Sequence, residues 1–173
     1  DLLQQHRVTV AYLVPPIILA LAKHPLVDQY DISTLGNVMS GAAPLPESVA
    51  REAARRNDMV VRQGYGLTET SPVTHTNARD TQLKIDSVGT ALPNTEWRII
   101  DVDSGLDAAE GDLGEVWIRG PQVMKGYLNN PQATVDMVDN DGWLHTGDIG
   151  KADADGYLYV VDRLKELIKY KGF

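Results

Sequence analysis

The chain has 173 residues, a formal net charge of −8 and no cysteine, with 43% hydrophobic and 23% charged residues. That balance supports a folded core in one domain or two small ones, not a disordered chain. The acidic charge argues against a nucleic-acid partner. The missing thiol removes disulfides, thiolate metal sites and a cysteine nucleophile, and fits a reducing cytoplasm.

Residues 8–22 form the longest apolar stretch, but Thr9, Pro15 and Pro16 interrupt it. It is too short and broken to span a bilayer. Asp1 opens the chain without a basic start, so no signal peptide is read. A first residue other than Met, and an end at Lys171-Gly172-Phe173 with no helix stop, predict a piece of a longer protein.

Residues 8–14 are short, β-branched and bounded by Pro15-Pro16, which predicts a buried strand. Residues 16–23 predict a helix with proline in its first turn, closed by His24-Pro25. Residues 35–39 read as another strand, followed by the turn-rich Ser40-Gly41-Ala42-Ala43-Pro44. Over residues 46–57, Val49, Ala50, Ala53 and Ala54 share one helical face while Arg51, Arg55 and Arg56 lie largely on the other. Residues 59–62 are a strand candidate. Strands alternating with helices indicate a mostly parallel sheet. After about Thr81 the pattern changes. Strand-like runs at 95–102, 114–119 and 157–161 are separated by Gly, Asp and Asn clusters, which suits a small antiparallel sheet or open barrel. Residues 131–138 fit one helix. The expected fold is therefore α/β: a partial parallel-sheet portion over 1–82, then a mostly antiparallel β subdomain over 83–162.

Four segments carry residue types suited to chemistry. In Gln63-Gly64-Tyr65-Gly66-Leu67-Thr68-Glu69-Thr70, glycines permit close backbone approach, Tyr65 offers a face to a base, and Thr68 a hydroxyl to a phosphate. Glu69 is a hard oxygen ligand suited to Mg²⁺. The alternative is a plain Gly-Tyr-Gly turn. In residues 142–150, Asp148 can accept from both hydroxyls of a ribose, because a carboxylate has only acceptors. It equally fits a loop aspartate capping a strand end. His145 in the same segment reads as a structural hydrogen-bonder and not as a base. Arg163, Lys165, Lys169 and Lys171 make a basic run that either contacts phosphate, carboxylate or coenzyme A, or is a solvated face. Ser40 to Pro44 forms either the floor of a flat pocket or a tight helix entry. P-loop, dinucleotide and nucleophile-elbow fingerprints are all missing, as is histidine-rich metal spacing.

Taken together and in order, these segments resemble the adenylate-forming superfamily: acyl-CoA synthetases, firefly-type luciferases and peptide-synthetase adenylation domains. The nearest resemblance is to 4-coumarate–CoA ligases. It rests on residues 39–45, 63–69, 124–131, 141–150 and 161–173, and covers essentially the whole chain. The resemblance implies a two-step reaction in which ATP and a carboxylate give an acyl-adenylate, which CoA then intercepts. It implies that Gln63, Gly64, Tyr65 and Thr68 line the adenine and α-phosphate site, with Gly41 beside the nucleotide. It implies that Glu69 holds Mg²⁺ and that Asp148 and Arg163 meet the ribose. Gly41, Gly66, Pro72 and Val73 then line the acyl pocket. Thr68, Glu69, Lys169 and Lys171 are the implied catalytic residues. Lys165 marks a hinge, so that 163–173 leads to a small C-terminal domain, and Gly172 with Lys169 and Lys171 faces AMP or CoA. The family's phosphate loop, its preceding aromatic or histidine motif, and the C-terminal lysine for adenylation are not in this sequence. The fragment is therefore expected to be inactive alone, and its incomplete sheet to self-associate. The implied substrate is a hydroxycinnamate-like or a fatty acid. The rival readings are a fatty-acyl-CoA ligase, a luciferase-like oxygenase, a non-catalytic AMP- or acyl-adenylate-binding module, and an inert fragment.

Overall fold

The computed structural model describes residues 1–78 and 82–164. Its elements run α1 (Leu2–Gln5), β1 (Val10–Leu13), α2 (Pro15–Lys23), β2 (Asn37–Ser40), α3 (Glu47–Asn57), β3 (Val60–Gly66), β4 (Val73–Thr76), β5 (Thr90–Ala91), β6 (Glu96–Ile100), β7 (Gly114–Arg119), α4 (Pro131–Met137), β8 (Leu144–Ala152) and β9 (Leu158–Arg163). The strand order is β1-β2-β3-β4-β5 in one sheet and β6-β7-β8-β9 in the other. The expected parallel-then-antiparallel α/β fold is borne out. Chain contacts divide the molecule into one unit of Asp1–Tyr65 with Thr76–Gly89, and another of Gly66–His75 with Thr90–Phe173. The division thus crosses the chain more than once, where composition alone put one join near residue 82.

The first unit is a βαβαβ arrangement. β1, β2 and β3 pair in parallel, with Ala11 opposite Val38 and Val38 opposite Val61. Those side chains share a face with Ile18, Leu21 and Ala22 of α2 and with Ala50 and Ala53 of α3, and all are buried in one cluster. The helical spacing explains the choice, since 18, 21 and 22 recur on one stripe while Ile17 and Leu19 are exposed. α2 begins at paired prolines, which need no hydrogen-bonded N–H there. Its last carbonyls are satisfied from α3. Asn57 Nδ2 donates to Leu21 O at 3.1 Å, and Arg56 donates to His24 O at 3.0 Å and to Asp28 at 2.7 Å. Arg56 therefore ties the two helices together and does not lie free on a polar face. The strand expected over 8–14 is shorter and only half-buried. Ala11 faces the core, but Tyr12 is 81% exposed, because no layer covers the other face of this edge strand among the described residues.

In the second unit β6 to β9 form an antiparallel meander. Val116 and Ile118 of β7 are fully buried, whereas the alternate residues Glu115, Trp117 and Arg119 are half-buried on the opposite face. That period of two is what a sheet buried on one side requires. Leu144, Ile149 and Leu158 are buried too. β8 is the element the sequence concealed. Residues 142–150 read as turns because of their glycines, yet Leu144–Ala152 is a nine-residue strand. The ladder accommodates it through a register irregularity at Ile149/Gly150. Likewise the Gly64-Tyr65-Gly66 segment is the end of β3 and not a free turn. Among the described residues no helix is long and apolar enough to cross a membrane.

Candidate functional site

Each unit carries its own set of candidate residues. In the first, Gly41, Gln63, Gly64 and Tyr65 stand at the carboxyl ends of parallel strands, where open α/β sheets bind ligands. Ser40 of β2 is opposite Gln63 of β3, so the Gly41 turn and the Gly64-Tyr65 strand end are neighbours. A Cβ built on Gly41 meets nothing within 4 Å, so this turn is bordered by open space. Gln63 is buried and its side chain is committed. Nε2 donates to Ile85 O at 2.8 Å, and Oε1 accepts from Leu45 N at 3.4 Å. It pins the two loops that follow the strand ends.

In the second unit, Gly66, Thr68, Glu69, Pro72 and Val73 lie on one short stretch that runs from the end of β3 to the start of β4. Gly66 is required by its own chain: a Cβ there would lie 1.8 Å from Pro72 O. The stretch is organised by Thr70, which is fully buried. Its hydroxyl accepts from Leu67 N at 2.9 Å and donates to Pro72 O at 2.6 Å. Thr68 stays exposed and Glu69 half-buried. One oxygen of Glu69 accepts from the Tyr127 hydroxyl at 2.6 Å, and Glu69 O accepts from Met124 N at 2.8 Å. No role was read from the sequence for Thr70, which directly follows the 63–69 segment, or for Tyr127, which lies inside 124–131.

Asp148 and Arg163 are brought together. They are cross-strand partners on β8 and β9, and Arg163 Nε donates to Asp148 Oδ1 at 3.1 Å. The Asp148 side chain is 7% exposed and that of Arg163 is 66% exposed. Burying a carboxylate is costly unless it is paired, and here the pair reaches outward to solvent. Thr146 fixes the strand beneath, donating to Val116 O at 2.7 Å and accepting from Asp148 N at 3.1 Å. His145 stacks on Trp117 with centroids 3.8 Å apart, and its Nε2 lies 3.4 Å from Asp139. That arrangement agrees with a structural role. Lys165, Lys169, Lys171 and Gly172 lie outside the described residues.

No group of three or more His, Asp or Glu able to hold a metal occurs among the described residues. The donor set nevertheless fits Mg²⁺ carried by a nucleotide. Such an ion takes one or two carboxylates plus phosphate oxygens and water, and Glu69 supplies one hard carboxylate.

Residues 1–128 match the family model for AMP-binding enzymes. The chain belongs to that family. The expected resemblance to adenylate-forming enzymes is borne out by the chain's relatives. It is 49% identical to 4-coumarate–CoA ligase 1 of Solanum tuberosum over 179 residues, taking in 100% of this chain and 33% of that one. Its structure is similar to that of ATP-bound MatB from Rhodopseudomonas palustris, with a TM-score of 0.91 and 33% identity over 99% of this chain and 34% of the other. It is also similar to the amide bond synthetase McbA from Marinactinospora thermotolerans, with a TM-score of 0.86 and 35% identity over 99% and 35% of the two chains. The chain spans about one third of the length of the curated relatives it matches.

Proposed function

We propose that this chain is part of an ATP-dependent acyl- or aryl-CoA ligase that activates a hydroxycinnamate-like acid as its adenylate and passes the acyl group to CoA. The observation that carries the reading is the buried Asp148 carboxylate held by Arg163 at 3.1 Å. It is an acceptor-only group at a solvent-reachable pair, suited to a vicinal diol. In this reading Asp148 and Arg163 bind the ribose. Gln63, Gly64, Tyr65 and Thr68 border the nucleotide, and Gly41, Gly66, Pro72 and Val73 the acyl group. The buried amide of Gln63 acts by holding the loops at Leu45 and Ile85, which leaves backbone of the strand end to face the ligand. Thr68 keeps an exposed hydroxyl for an α-phosphate oxygen.

Mg²⁺, when bound with the nucleotide, supplies charge stabilisation at phosphorus, and Glu69 is the residue that holds it. Residues 163–173, with Lys165, form the hinge, and Lys169, Lys171 and Gly172 serve the later half-reaction. A cytoplasmic location, inactivity of the chain alone and its self-association belong to the same proposal. Self-association has a physical basis in the exposed edge strand β1, with Tyr12 on its uncovered face.

Titration of the 173-residue chain with AMP by calorimetry, beside Asp148→Ala, tests the reading. Saturable binding should weaken by roughly 1–3 kcal/mol when the buried acceptor is removed. Equal affinity of the two proteins would reject Asp148 as the ribose ligand.

A further inference from the structure

We propose that Tyr127 is a positioning residue for Glu69, its hydroxyl fixing one carboxylate oxygen so that the other is left to take the divalent cation of a bound nucleotide. The inference rests on reading Glu69 as the cation ligand. The contact is short, 2.6 Å, and links residues 58 apart in sequence, so no local turn imposes it. It is accompanied by a main-chain bond from Met124 N to Glu69 O at 2.8 Å. Side chain and backbone of Glu69 are thus both gripped by one segment, residues 124–127. Among the described residues the second oxygen, Oε2, has no hydrogen-bond or ion-pair partner.

The gripping segment is itself fixed. Tyr127 N donates to Thr134 Oγ1 at 2.9 Å. Thr134 in turn donates to Asn130 O at 3.2 Å, and Asn130 Oδ1 accepts from Ala133 N at 3.1 Å to cap α4. Gly126, at φ +146°, allows this approach, since a Cβ there would lie 2.8 Å from the Thr134 side chain. The segment therefore delivers the phenol to a set place.

A phenol suits the task better than a basic side chain. A charged donor such as lysine would neutralise the carboxylate, whereas a tyrosine hydroxyl orients it and leaves its negative charge for a cation. An unrestrained glutamate loses rotamer freedom when it binds an ion. Holding it beforehand removes part of that cost, as outer partners of metal ligands do.

The 173-residue chain tests this in four forms: unaltered, Tyr127→Phe, Glu69→Gln and the double variant. Mn²⁺ stands in for Mg²⁺, and its affinity in the presence of ATP is read by electron paramagnetic resonance. Tyr127→Phe should weaken Mn²⁺ by about tenfold, Glu69→Gln by at least as much, and the double variant no more than Glu69→Gln. Without metal, Tyr127→Phe should move the carboxylate carbon resonance of Glu69. In the unaltered chain a downfield Tyr127 hydroxyl proton should be seen and should move upfield in Glu69→Gln, whose neutral amide oxygen is a weaker acceptor, which checks the contact without touching Tyr127. If Glu69→Gln holds Mn²⁺ as well as the unaltered chain, the cation reading of Glu69 itself fails. If Glu69→Gln weakens Mn²⁺ while Tyr127→Phe does not, that reading stands and the positioning role is overturned. An additive loss in the double variant, or no downfield hydroxyl proton, overturns it as well.

Discussion

The two units bury polar groups by different means. In the parallel unit the buried polar side chain at the candidate site, Gln63, is uncharged and satisfied by main-chain groups of two loops. In the antiparallel unit Asp148 is a buried carboxylate balanced by an arginine, and His75 is a fully buried imidazole packed edge-on against Trp97 at 5.0 Å. The parallel unit thus keeps apolar packing and neutral hydrogen bonds at its centre, with the Arg56–Asp28 ion pair at its edge, where Asp28 is exposed. The antiparallel unit has ionisable groups in its interior. The difference teaches where acid should act and where cavities should.

The largest effect is expected from a cavity in the parallel unit. Ile18 is fully buried between α2 and the sheet. Ile18→Ala should cost roughly 2–5 kcal/mol, from lost transfer energy plus the cavity left behind. Urea unfolding at neutral pH checks it. A loss well under 1 kcal/mol would mean that α2 is not packed as described.

The antiparallel unit should respond to acid more than the parallel one. Burial lowers the His75 pKa from 6.5 to about 3. Below pH 6.5 the unfolded chain takes up a proton that the folded chain refuses. Stability therefore falls as pH falls from 6.5 toward 3, and the loss stops growing once the folded imidazole also protonates. By linkage this amounts to roughly 2–3 kcal/mol between pH 7 and pH 4.5. Burial raises the Asp139 pKa, but hydrogen bonds from Trp143, His145 and Asp141 together outweigh it and leave the pKa lowered, so Asp139 contributes only at lower pH. His75→Gln removes the titrating group, so the difference in pH slope between the two proteins isolates it. Parallel slopes over pH 7 to 4.5 would rule out a buried neutral His75.

The same contrast governs what the sequence made legible. The βαβ pattern was readable because α2 and α3 repeat apolar residues at 18, 21, 22 and at 50, 53, with prolines and a turn marking their ends. Such periodicity is a local property. β8 was not readable, because Gly147 and Gly150 interrupt its alternation and its strand state is set by pairing with β7 and β9. Pairing is non-local, and a glycine in a strand reads as a turn. The burial of β1 was overestimated for a related reason: its residues are apolar enough for two covered faces, but its place at the sheet edge lies in the topology. Among the candidate site residues, Asp148 and Glu69 drew notice as carboxylates inside glycine-rich segments. Tyr127 was not, since its partner lies far away in the chain.

The smallest effect sharpens the contrast from the neutral side. Gln63→Leu keeps the side-chain volume but removes both amide contacts. Ile85 O then loses its 2.8 Å donor and Leu45 N its acceptor at 3.4 Å. The cost should be roughly 1–3 kcal/mol, toward the low end because the second bond is long. The loss should be the same at pH 7 and at pH 5, since no group that titrates in this range has been removed. Urea unfolding of Gln63→Leu at both pH values reads it directly. A pH-dependent cost would mean that the amide contacts an ionisable group, and the neutral character assigned to this end of the parallel sheet would have to be abandoned.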